Sequence, residues 1–176
     1  MLKKDFIDPA EVFDEIELDN YMTGADFGAG SGHWSLELAR RLNEGVVYAI
    51  DISGASLSAL KSRRKSAHLP NLKILQRDLS GGLHSSRLPA NSVDIVLLVN
   101  VLFQIEDEEA LAKEAQRVLK EDGQILIVDW TQPLRGMPDY FSPAQTKKLA
   151  QKLGWTLEKE FKAGEYHKVL IYTNSL

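Results

Sequence analysis

The run at residues 25–39, ADFGAGSGHWSLELA, constrains this chain more than any other stretch. Ala25-Asp26-Phe27 leads into Gly28-Ala29-Gly30-Ser31-Gly32, and a helical pattern begins at once. Physically this is a strand end, a tight turn and a helix N-terminus in one run. Glycine lets a backbone N–H approach a ligand closely, because no Cβ stands in the way. The helix N-terminus adds unpaired donors and partial positive charge, which suit a carboxylate or a phosphate. A glycine turn that only reverses the chain is the alternative, so the residues around it decide.

Length and composition narrow the setting. The chain has 176 residues, 44% of them hydrophobic and 26% charged, which is enough for one domain with a real core. A single domain over residues 1–176 is expected, with residues 1–22 as an N-terminal helical cap segment. No apolar run approaches the roughly 20 residues that span a bilayer. The start, MLKKDFIDPAEVF, carries two lysines but no apolar stretch behind them, unlike a secretory signal. A cytoplasmic protein without membrane attachment is the expectation. A net charge of −4 gives no global attraction for nucleic acid. The absence of cysteine excludes disulfides, thiolate metal sites and a cysteine nucleophile.

In chain order, Asp8-Pro9-Ala10-Glu11 reads as a helix start, Asp8 capping, Pro9 in the first turn and Glu11 reaching back. Val12, Phe13 and Ile16 give this segment an apolar face over two to three turns. It serves either to cover the sheet or to bring Phe6 and Phe13 near a ligand. Beyond the glycines, Trp34, Leu38 and Leu42 recur at helical spacing, a buried stripe. His33 sits at that helix start. Residues 46–50, VVYAI, lack polar alternation, as expected of a parallel strand covered on both faces. They end in Asp51, about 20 residues past the glycines, where a carboxylate can accept both hydroxyls of a ribose.

A helix from Gly54 to about Ala67 follows, closing in Lys61-Ser62-Arg63-Arg64-Lys65, a solvated cationic face at a helix C-terminus. Leu72–Gln76 is a third strand, then Arg77-Asp78-Leu79, and residues 81–91 form a loop. Val93–Val99, VDIVLLV, is the most apolar strand and so a central one. Residues 106–119 form an amphipathic helix that Gly123 closes at its C-terminus, with a fifth strand over 124–130. A loop at 131–140 lies where open sheets bind substrates. Ser142-Pro143-Ala144-Gln145 caps another helix, and residues 155–161 and 166–173 read as a hairpin.

The glycine spacing departs from the dinucleotide pattern G-x-G-x-x-G, since His33 stands at its third glycine. G-x-G-x-G after Asp26 instead resembles the first motif of class I S-adenosylmethionine (AdoMet) methyltransferases. Ile50-Asp51, Arg77-Asp78-Leu79 and the strand exit at Asn100 resemble that family's later stations, in order, and the likeness covers nearly the whole chain. It implies a doubly wound Rossmann-like α/β fold, a seven-stranded sheet in the order 3-2-1-4-5-7-6 with helices on both faces and a β-hairpin as its last strand pair. It also implies an AdoMet site formed by Asp26, Phe27, Gly28, Ala29, Gly30, Gly32, Asp51, Ile52, Asp78, Leu79, Asn100 and Val101. Asp78 takes the adenine amino group and the next backbone N–H faces the ring. Gln104 departs from the family, which commonly has histidine there, and removes one candidate base.

The implied reaction is displacement at the sulfonium methyl, giving S-adenosylhomocysteine and a methylated small molecule. Alignment alone supplies much of the acceleration; an oxygen acceptor would want a base, and Asp129 and His33 stand where one could act. No metal site is expected. Three alternatives share parts of the pattern: a non-catalytic AdoMet-binding module, an RNA methyltransferase using the 61–65 cluster, and an NAD-dependent oxidoreductase.

Overall fold

The computed structural model describes residues 7–132 and 140–174, and within them strands and helices alternate. Strands β1 (Thr23–Phe27), β2 (Val46–Asp51), β3 (Leu72–Gln76), β4 (Val93–Val99), β5 (Leu119–Trp130), β6 (Trp155–Ala163) and β7 (His167–Asn174) form one sheet. Its order is β3-β2-β1-β4-β5-β7-β6, as the resemblance implies. The first five strands pair in parallel, and β7 runs antiparallel between β5 and β6.

Helices α1 (Pro9–Phe13), α2 (His33–Arg41) and α3 (Gly54–Ser66) cover one face; α4 (Glu108–Val118) and α5 (Pro143–Leu153) cover the other. Burial on both sides explains why β4 reads as an apolar run from Ile95 to Val99, with Ile95, Val96, Leu97 and Leu98 all buried. The chain winds outward from β1 in one direction and from β4 in the other. The crevice between their carboxyl ends is therefore the switch point where ligands of such sheets sit.

Local signals account for most helix ends. The Ser142 hydroxyl accepts from the Gln145 N–H while Gln145 Oε1 accepts from the Ser142 N–H, the full capping box at α5. Trp34 packs edge-on against Phe13 at 5.6 Å, joining α2 to α1.

Two elements differ from the expectation. Helix α1 is only five residues long and shows no Glu11 reach-back; Asp8 caps Ala10, and Arg41 of α2 donates to the Ala10 carbonyl (3.0 Å) and to Asp14 (2.7 Å). Ile16 still packs on the same core from beyond the helix. Gly123 does not close α4. The helix stops at Val118 because Leu119 turns straight to extended backbone and pairs with Val93. Gly123 lies within β5, where the ladder slips before resuming at Ile95 and Gln124.

Glu114 faces inward from α4 and is fully buried. Its carboxylate accepts from the His84 N–H (2.7 Å), the Ser86 N–H (3.1 Å) and hydroxyl, and Arg117 (2.7 and 2.8 Å). Arg117 also donates to the Leu88 carbonyl at 2.7 Å. Burial raises the Glu114 pKa, but the bonds from Arg117, Ser86 and the His84 backbone overcome it and hold the carboxyl at about 2. This knot ties the loop after Leu79 to α4.

Candidate functional site

The glycine turn is built by close approach. Gly28, Gly30 and Gly32 adopt φ of +82°, +53° and +81°. The Gly28 and Ala29 N–H groups donate to the Ile50 carbonyl at 2.9 and 3.0 Å, pinning the turn to the end of β2. A Cβ at Gly28 would stand 2.7 Å from Val101, and one at Gly32 would stand 2.0 Å from Leu60 of α3. Gly32→Ala is therefore expected to cost at least about 2 kcal/mol, combining left-handed strain with displacement of Leu60; urea denaturation reads it. Arg63 donates to the Ser31 carbonyl at 2.9 Å and Arg64 to the Leu72 carbonyl at 3.1 Å. Two cations of the 61–65 run thus clip main chain rather than only facing solvent.

The predicted residues lie at or just beyond the carboxyl ends of β1, β2, β3 and β4, and of them Asp26, Gly28, Ala29 and Asn100 line the cleft described below. Asp51 accepts from the Gly30 N–H through Oδ2 and from the Ser53 N–H through Oδ1, both at 2.7 Å. Its carboxylate is thus aimed into the turn. Ile52 beside it is 62% exposed, an apolar side chain with no fold-level reason to face water. The Arg77 N–H donates to the Asp51 carbonyl at 3.0 Å, joining the ends of β2 and β3. Asp78 is exposed, and its Oδ1 caps the next turn through the Ser80 N–H and hydroxyl. Leu79 and Val101 are buried, and the Phe27 ring is wholly inside the core. The side chains of these three are withdrawn from the surface, which leaves only their main chain to face a ligand.

Asp26 lies under the turn, its carboxylate bound by the Ser35 hydroxyl of α2. Burial raises its pKa to about 6, partly opposed by that hydroxyl and reinforced by the nearby Asp51 charge. Asn100 has a left-handed φ of +50° at the exit of β4, and Gln104 donates to its carbonyl at 2.6 Å. Its Oδ1 is buried and takes no hydrogen bond among the described residues.

A cleft of about 250 Å³ opens between β1, β4 and the start of α2, lined by Asp26, Gly28, His33, Asn100, Trp130 and His167 among others. His33 is thus in the crevice as expected. Asp129 does not line it: alternation along β5 turns it to the opposite face from Trp130, where burial pushes its carboxyl up to about 7. The expected 131–140 loop lies mostly outside the described residues, as does Phe6, while Phe13 is buried in the core.

His167 was not legible beforehand. Burial lowers its pKa to about 4, so the ring is neutral. Only the antiparallel pairing of β5 with β7 brings it to the cleft, 67 positions from Asn100.

The residues present fit AdoMet: an oriented carboxylate at the end of β2, a turn in which Gly28 and Gly32 leave no room for a Cβ, and an unpaired buried oxygen at Asn100. Comparison with known proteins agrees. Residues 18–174 match the family model described as a methyltransferase domain. A demethylmenaquinone methyltransferase of Listeria welshimeri is 30% identical over 109 residues, 61% of this chain and 44% of that relative. The chain thus matches less than half the length of that curated relative. A SAM-dependent methyltransferase from Aquifex aeolicus superposes with a TM-score of 0.83 at 22% identity, covering 95% of this chain and 89% of the other. A magnesium protoporphyrin IX methyltransferase from Synechocystis, with bound SAM, gives 0.71 at 18%, covering 95% and 76%. Both share the fold. No helix among the described residues is long and apolar enough to cross a membrane, and no metal-binding cluster occurs among them. The chain belongs to the methyltransferase-domain family, the class I AdoMet-dependent methyltransferases.

Proposed function

We propose that this chain binds AdoMet across the carboxyl ends of β1, β2 and β4 and directs its methyl group to a small-molecule acceptor. The observation that carries this is the Asp51 carboxylate, fixed at 2.7 Å by the Gly30 N–H. Held so, it turns its remaining lone pairs to the two ribose hydroxyls. Asp78 and the Leu79 N–H take the adenine, with Ile52 along its face. Gly28, Ala29, Gly30 and Gly32 let the methionine end approach the main chain beside Asn100 and Val101. Asp26 and Phe27 support the turn from below.

When bound, AdoMet supplies an electrophilic methyl carbon on a sulfonium. The chain's own part is to hold an acceptor in line with that carbon and exclude water, which can supply about 7–11 kcal/mol of the barrier. The acceptor named for the Listeria relative and the modest size of the cleft both favour a small molecule.

Labelled-methyl AdoMet incubated with a panel of phenols, amines and thiols tests the reading. Label is expected in at least one extractable product, and Asp51→Ala is expected to remove it. Label in none of them, with NAD bound instead, contradicts the proposal.

A further inference from the structure

We propose that His167 is the acceptor-side catalytic residue, its Nε2 taking the hydrogen of a hydroxyl carried on a planar aromatic acceptor. This rests on the methyl-transfer reading above. His167 opens β7 and is the register partner of Trp130, the last residue of β5. Directly opposed residues project to the same face, and the two rings stack with centroids 3.8 Å apart at 39°. Both residues line the cleft, so this tilted aromatic pair borders one side of it.

The Nε2 atom is 3.5 Å from Asn100 Nδ2, longer than a good hydrogen bond. In the tautomer that carries its hydrogen on Nδ1, the Nε2 lone pair holds only this long contact and can accept from a closer donor. His167 is 5% exposed, so a hydrogen-bonding partner that fills the cleft meets it out of bulk water. Among the described lining residues there is no lysine or arginine; the titratable groups facing the cleft are Asp26, His33 and His167. On the Trp130 and His167 side of the cleft no described cation stands ready to pair with a carboxylate or phosphate, which leaves a neutral hydroxyl as the better match for Nε2.

The step balances without a further reagent. The hydroxyl oxygen forms the O–CH3 bond as the C–S bond breaks and its electron pair stays on sulfur. The hydroxyl proton passes to Nε2 and from there to solvent. One positive charge occupies the cleft throughout, first as sulfonium and then as imidazolium. The burial that keeps His167 neutral in the free protein is therefore least opposed to protonation just when the sulfonium charge disappears.

The test uses the full chain saturated with S-adenosylhomocysteine, titrated calorimetrically with 2-naphthol and with 2-methylnaphthalene, which matches its shape but lacks the hydroxyl. Wild type is expected to prefer 2-naphthol by about tenfold, the worth of one buried hydrogen bond. His167→Phe keeps the stack and is expected to erase the preference while leaving S-adenosylhomocysteine affinity within about twofold. In wild type alone, 2-naphthol is expected to move the ¹⁵N resonance of His167 Nε2, a readout that needs no variant. Equal or absent binding of the two probes, an unmoved Nε2, or a preference surviving in His167→Phe overturns the proposal. If S-adenosylhomocysteine does not bind wild type, the methyl-transfer reading falls first and takes this one with it.

Discussion

Asp51→Ala is expected to weaken AdoMet binding by about a hundredfold or more, because two hydrogen bonds to a charged acceptor are worth about 1.5–3 kcal/mol each. The loss has a second origin inside the protein. Oδ2 and Oδ1 hold the Gly30 and Ser53 N–H groups, so removing the carboxylate also frees the turn that the cofactor must find in place. Asp51→Asn keeps one acceptor oxygen and is expected to lose about tenfold. Asp51 is half-buried and makes no core contact, but Asp51→Ala also loses its bonds to the Gly30 and Ser53 N–H groups, so a lower unfolding temperature is expected, with the fold retained at 25 °C. Calorimetric titration of both variants, alongside circular dichroism, separates lost binding from lost folding. Equal affinity in wild type and Asp51→Ala would contradict the assigned role.

Glu114→Ala is expected to be the most damaging single change to stability, about 3–5 kcal/mol, since it strands a largely buried guanidinium and two backbone donors. Its pH dependence has a definite sign. The folded carboxyl titrates at about 2, below its ordinary 4.5, so its contribution is fully present above the unfolded value. That contribution is lost as pH falls from about 5 towards 2. Urea denaturation at pH 7 and at pH 3 is expected to show a large gap between wild type and variant at the first and a smaller one at the second. The same knot anchors residues 84–88, just beyond Asp78 and Leu79, so Glu114→Ala is also expected to lower AdoMet affinity. A gap that does not narrow in acid would show that the carboxylate is not the source of the stabilisation.

Much of this was readable from residues whose meaning is local. The glycines at 28, 30 and 32 dictate a turn, Asp51 follows at the ribose distance, and VVYAI at residues 46–50, without polar alternation, points to a strand covered on both faces. Alternating strands and helices indicated a doubly wound sheet, while its order was implied only by the family likeness of those stations. What stayed hidden depends on contacts between distant segments. Glu114 reads as one more charged residue on an amphipathic helix; its partners lie 28 and 30 positions earlier, on a loop with no periodicity. His167 reads as an ordinary strand residue, and only the β5–β7 pairing sets it against Trp130 and Asn100. Asp129 illustrates the reverse. Its position at a strand end suggested the cleft, yet alternation along β5 sends it to the other face. Gly123 followed the usual pattern of a helix stop, but Leu119 had already entered the sheet.

The central claim is that the crevice at β1, β2 and β4 is an AdoMet site. Calorimetric titration of the ligand-stripped chain with AdoMet, S-adenosylhomocysteine and NAD tests it most directly. Binding near the micromolar range by the first two, with none for NAD, is the predicted result; binding of NAD alone, or of none of the three, would contradict the account.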